Sequence, residues 1–83
     1  MSRQSDSVRA SDYLAKAFSK RLAKNPRYSL RAFAKSIDLS PSQCSLVLSQ
    51  KRRLSVRTAS RIAEKLSFSN REKQHFIQIV ALE

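Results

Sequence analysis

The chain has 83 residues, 41% of them apolar, and its 17 Lys and Arg against six Asp and Glu give a formal net charge of +11 and an isoelectric point near 11.0. That length allows one domain with a modest core, and the apolar share excludes a disordered segment. The longest apolar run, Ile79 to Leu82, falls far short of the ~18 residues of a membrane span, and Met1 to Ser7 lack the apolar stretch of a secretory signal.

A single cysteine, Cys44, makes no internal disulfide, and the expected compartment is therefore reducing and cytoplasmic. The basic excess is concentrated. Between Tyr13 and Arg61 stand Lys16, Lys20, Arg21, Lys24, Arg27, Arg31, Lys35, Lys51, Arg52, Arg53, Arg57 and Arg61, and the only acid is Asp38. Solubility alone is usually reached with both signs interspersed, whereas this imbalance suits a polyanion. Nucleic acid is the leading partner; an acidic membrane surface or an acidic protein is the alternative.

Residues 1–10 read as a flexible N-terminal arm and 11–83 as one folded domain. From about Ser11, Tyr13, Leu14, Ala17, Phe18 and Leu22 recur on one helix face, and Asn25-Pro26 ends that helix. Ser29 caps a second helix with Leu30, Phe33, Ala34 and Ile37 inward and Tyr28 and Phe33 placed to form a hydrophobic staple. Asp38 ends it, because a chain with no glycine leaves left-handed C-caps to Asn or Asp. Ser40-Pro41-Ser42-Gln43 then opens a third helix with a cap, a proline at the first position and a glutamine that completes a capping box. Cys44, Val47 and Leu48 face its core, with Leu39 and Cys44 as a second staple. Ser55 caps a fourth helix whose apolar face is Val56, Ala59, Ile62, Ala63 and Leu66. Ser69-Asn70-Arg71-Glu72 opens a fifth, bearing Phe76, Ile77, Ile79, Val80 and Leu82. No alternating stretch reads as a strand. The expectation is an all-α, compact bundle of about five short helices.

Helices two and three are joined only by Ile37-Asp38-Leu39-Ser40, so they must cross steeply and expose the start of the third, as in a helix-turn-helix whose recognition helix enters a major groove. The segment from Ser29 to Ser55, continued through Ile62-Ala63-Glu64-Lys65-Leu66, resembles the lambda repressor/Cro-like helix-turn-helix family over about residues 28–66. Phe33-Ala34 stands at the family's Leu-Ala pair and Asp38-Leu39-Ser40 at its Gly-Val-Ser. Cys44 and Val47 stand at its two buried recognition-helix positions. Residues 13–83 also look like the N-terminal domain of a longer bacterial family with this helix-turn-helix type. The family often carries glycine at Asp38 and Gln50, and Arg and Glu at Leu46 and Leu48, so this third helix is poor in charge. The resemblance implies a lambda repressor-like fold, double-stranded DNA as partner, and a role in a transcriptional regulator.

The third-helix residues not needed for the core are Ser42, Gln43, Ser45, Leu46 and Ser49, which makes them the candidate base readers. Gln43 can pair bidentately with adenine and Leu46 can lie against a thymine methyl. Against this, Gln43 has its capping duty, and Leu46 can equally be a solvated leucine or a contact to a protein partner. Arg27, Ser29, Arg31, Lys51, Arg52, Arg53 and Arg57 are the candidate phosphate ligands, assisted by free amides at the starts of helices two and four; the plainer alternative is solvated charge. His75 stands alone, one turn from Glu72 and Arg71, and reads as a surface or partly buried histidine. Cys44 reads as a small core residue. The residues suggest no zinc cluster, no phosphate-binding glycine loop and no nucleophile–base pair, hence no enzyme, no cofactor and no small-molecule site. On helix five the apolar residues cover more of the circumference than a four-helix core needs, and the chain stops at Glu83 without a C-cap or polar tail. Ile79 and Leu82 are therefore expected to meet a second copy or a further C-terminal domain. Three rival functions stay open: a protein-interaction module, charge-driven nucleic-acid binding without sequence preference, and a cationic amphipathic membrane binder, which the short, capped helices disfavour.

Overall fold

The computed structural model describes residues 8–83; the first seven residues of the expected arm lie outside the described residues. Five helices follow one another: α1 (Ala10–Lys24), α2 (Leu30–Ser36), α3 (Pro41–Leu48), α4 (Val56–Lys65) and α5 (Asn70–Leu82), with no strand among the described residues. The fold class is all-α, and the five short helices close around one core.

Each start is made by a local hydrogen bond that satisfies an otherwise orphaned amide, an arrangement worth about 1 kcal/mol per cap. The hydroxyls of Ser29, Ser40, Ser55 and Ser69 accept from the amides of Ala32, Gln43, Thr58 and Glu72. Two of these are reciprocal boxes: Gln43 Oε1 accepts from Ser40 N at 3.3 Å, and Glu72 Oε1 from Ser69 N at 3.0 Å. α1 begins at Ala10, one residue earlier than its hydrophobic pattern, because Asp12 Oδ2 accepts from the Arg9 amide at 2.8 Å. It stops where Asn25 turns to extended backbone ahead of Pro26.

Three helix ends share one solution. Asp38, Gln50 and Ser67 take left-handed φ values of 60°, 66° and 58°. At each, two amides fold back onto the last turn: Asp38 to Lys35 and Leu39 to Ala34, Gln50 to Val47 and Lys51 to Leu46, Ser67 to Glu64 and Phe68 to Ala63. These are Schellman motifs built without glycine.

The core joins Leu14 of α1, Phe33, Ala34 and Ile37 at α2, Cys44 and Val47 of α3, Ala59, Ile62 and Ala63 of α4, and Phe76 and Val80 of α5. α2 packs on α3 and α4 on α5, while α1 bridges the two pairs by touching α3 and α5. Two aromatic groups flank the core. Phe18 lies 5.2 Å from Phe33 and 6.0 Å from Tyr28 between ring centroids, so a ring from α1 completes the staple at the start of α2. Tyr13, Phe68 and Phe76 meet at 5.4 to 5.6 Å where α1 crosses α5. One inward expectation is corrected: Val56 is 46% exposed. As the first residue of α4 it lies about 70° off the centre of the Ala59, Ile62, Ala63 and Leu66 stripe, at ~100° per residue. Leu48, also expected inward, is half-buried at the edge of the core.

Candidate nucleic-acid interface

The four residues 37–40 between α2 and α3 are pinned at both ends. Leu39 is half-buried against the core on one side, and Ser40 caps α3 on the other. Cys44 and Val47 anchor α3 inward, so Ser42, Gln43, Ser45, Leu46 and Ser49 all face out, with Leu46 37% exposed. Of the five, Gln43 carries a constraint. Its Oε1, the atom that would accept from adenine N6, also accepts from Ser40 N and lies 3.4 Å from Ser40 Oγ, while its Nε2 is uncommitted. Ser49 Oγ donates to Leu46 O at 3.2 Å, which holds that hydroxyl against the end of the helix.

The basic candidates surround the start of α3 rather than lying along it. A shallow depression on one side joins Arg31 and Lys35 of α2 to Asp38, Leu39 and Pro41. A second, on the other side, joins Gln43 to Arg52 and Arg53 and to Ser55 and Thr58 at the start of α4. Leu54, half-buried on the core, pins the loop so that the two arginines before it stay outside. Lys51 follows α3 and Arg57 is the second residue of α4, both exposed. Arg27 stands apart in the turn before α2, where its backbone N–H donates to Asn25 Oδ1 at 3.2 Å. Ser29 is exposed, and its hydroxyl accepts from Ala32 N while keeping its own proton free to donate. The third amides of α2 and α4, on Ala32 and Thr58, are taken by their caps, which leaves only the first two of each for a ligand.

The acids explain why this charge is not spent internally. Asp12, Glu72 and Glu83 accept from the backbone amides of Arg9, Ser69 and Ala10. Asp38 pairs with Lys65 at 3.3 Å and Glu64 with Lys73 at 3.2 Å. Among the described residues, Arg27, Arg31, Lys51, Arg52, Arg53 and Arg57 have no carboxylate partner.

The geometry changes the role of three residues. Lys35 joins the site; it lies one turn after Arg31 on the same face of α2, a spacing visible in the sequence. Thr58 joins through α4, its hydroxyl 2.9 Å from Ser55 Oγ. Arg21 is excluded from the free charge. Its guanidinium donates to Tyr28 Oη at 3.0 Å and Ser36 Oγ at 2.8 Å and lies 5.7 Å from the centre of the Phe33 ring, so it fastens α1 to α2. His75 is exposed, with Nδ1 hydrogen-bonded to the Tyr13 hydroxyl. Burial pushes the Cys44 thiol pKa up, which keeps it a neutral core group. No helix among the described residues is long and apolar enough to cross a membrane, and no three His, Cys, Asp or Glu side chains there converge on a metal position. No protein-family model, curated protein or solved structure matches the chain.

Proposed function

We propose that this domain binds double-stranded DNA as a helix-turn-helix of the lambda repressor-like type, and serves as the DNA-binding part of a transcriptional regulator. The observation that carries the reading is the bracket of cations without an ion-pair partner among the described residues around the exposed start of α3: Arg31 and Lys35 on one side, where the one nearby acid, Asp38, is paired with Lys65, and Arg52 and Arg53 on the other. A helix laid into the major groove has phosphates on both flanks and base edges beneath its first turns. Ser42, Gln43, Ser45, Leu46 and Ser49 then face the bases, and Arg27, Ser29, Arg31, Lys51, Arg52, Arg53 and Arg57 serve the backbone.

The test is titration with random and selected duplexes at two salt concentrations. Affinity for both should fall steeply with salt, and the selected duplex should bind more tightly at either. Salt-independent binding, or none at low salt, would defeat the proposal. A second reading, binding driven by charge without sequence preference, is favoured by one feature: α3 carries no charged side chain. Equal affinity for every duplex would select it.

A further inference from the structure

A cavity of about 250 Å³ lies where α1 begins, lined by Arg9, Ser11, Arg52, Arg53 and Glu83 among others. It adjoins the proposed DNA face, because Arg52 and Arg53 line both this cavity and the depression beside Gln43. Three features of it belong together. α1 is the longest helix, and its first two residues, Ala10 and Ser11, at the positive end of its dipole, line the cavity. Ser11 in the wall is only 6% exposed, and its Oγ is buried without a hydrogen-bond partner, which is costly unless a ligand completes it. An anionic group already sits there: Glu83 Oε2 accepts from the Ala10 amide at 2.9 Å, from 73 residues away in sequence.

Glu83 satisfies this site only in part. It takes one amide, makes no ion pair within 4.0 Å with Arg9, Arg52 or Arg53, and leaves Ser11 Oγ unpaired. A phosphate group, with more acceptor oxygens on one centre, can meet an amide, a hydroxyl and a guanidinium together. We propose that the start of α1 is a phosphate site which Glu83 occupies as an internal stand-in, and that an entering phosphate displaces Glu83 and frees the last turn of α5. Two sources can supply the group, a nucleic-acid backbone or free phosphate. The first source rests on the DNA-binding reading, the second does not.

The experiment follows the backbone amide signals of Ala10 and Ser11 by NMR in the 83-residue chain, at constant ionic strength. One arm adds inorganic phosphate and the other a short duplex. Glu83→Gln removes the competing charge, and Glu64→Gln makes the same change in net charge away from the cavity. Phosphate should move both amide signals, with affinity about fivefold higher in Glu83→Gln, the size of one charge at a helix end, and unchanged in Glu64→Gln. In the Glu83→Gln background, Ser11→Ala should weaken phosphate severalfold while raising the melting temperature, since it deletes an unpaired buried hydroxyl. If phosphate and duplex both move these amides, the backbone is the source. If phosphate does so and the duplex does not bind, the site stands with free phosphate as its ligand and the DNA-binding reading fails. If phosphate leaves Ala10 and Ser11 unmoved in Glu83→Gln, the site is overturned, and duplex binding of equal strength in both variants would leave the DNA-binding reading intact.

Discussion

A chain without glycine must still end its helices, and Asp38, Gln50 and Ser67 do so in a conformation that costs an ordinary L-residue about 1–2 kcal/mol. Asp is among the tolerant types; Gln and Ser are less so. Gln50→Gly and Ser67→Gly should therefore each raise unfolding stability by about 0.5–1 kcal/mol after the loss of chain entropy that glycine brings, and Asp38→Gly by less. Urea unfolding midpoints check this. Arg21 is the opposite case, a cation used for structure. Arg21→Ala should cost about 1.5–3 kcal/mol, as hydrogen bonds from a charged group to Tyr28 and Ser36 are removed, and should leave the salt slope of DNA binding unchanged. A fall in that slope would show that Arg21 reaches phosphate instead. Glu72 gives a pH signature. The Ser69 amide hydrogen bond, with the Ser69 hydroxyl and Lys20 and Lys16 adding to it, holds its carboxyl below the usual carboxylate range. A depressed folded pKa means stability that is present above the unfolded value and lost as pH falls through the folded one. Stability should accordingly drop on acidification through and below the usual carboxylate range, and Glu72→Gln, which keeps an acceptor for the box, should flatten that part of the profile.

At the scale of the element, α3 has one glutamine for two tasks. The capping box uses Gln43 Oε1, and pairing with adenine needs the same atom together with Nε2. Two substitutions separate the tasks. Gln43→Glu keeps the box and adds a carboxylate at a helix N-terminus, so thermal stability should hold or rise. The same change removes the donor and places negative charge toward DNA, so affinity should fall at least tenfold, as expected for about 1–3 kcal/mol of base pairing energy plus repulsion. Gln43→Ala should lose both some stability and the sequence preference in a binding selection. If the selected sequences are the same for Gln43→Ala and the parent, Gln43 is a cap and not a reader.

Over the whole molecule, the arrangement of charge sets the strength of binding and α5 sets the room for assembly. Arg52→Ala with Arg53→Ala should weaken every duplex about equally and lower the slope of log affinity against log salt by roughly two, one for each phosphate that is no longer neutralised. α5 buries Phe76 and Val80, half-buries Ile77 and Ile79, and leaves Leu82 80% exposed. The second copy expected at Ile79 and Leu82 would use that end, adjacent to Glu83 where it meets Ala10. Sedimentation of the chain with and without Ile79→Glu, free and on a duplex with two half-sites, measures it. A parent that remains a monomer on such a duplex would end the expectation of a second copy at this surface.

The helix starts, the all-helical class and most of the core are legible in the sequence, because capping serines, Pro41 and apolar spacing act over three or four residues and need no tertiary partner. Asp38 is legible as a helix end for the same reason. Ser67 is not, because its turn is completed by Phe68 docking among Tyr13 and Phe76, rings brought together from α1 and α5. Val56 is apolar yet lies exposed, because it opens α4 just outside the stripe that packs on the core. Tertiary structure alone decided which cations are free. Arg21 and Arg31 are both arginines on helices, yet one lies over the Tyr28 and Phe33 rings at the start of α2 and the other beside the start of α3. The hydrogen bond between Glu83 and Ala10 spans nearly the whole chain, and only the packing of α5 against α1 can bring a carboxylate from one end to the first amide of a helix at the other.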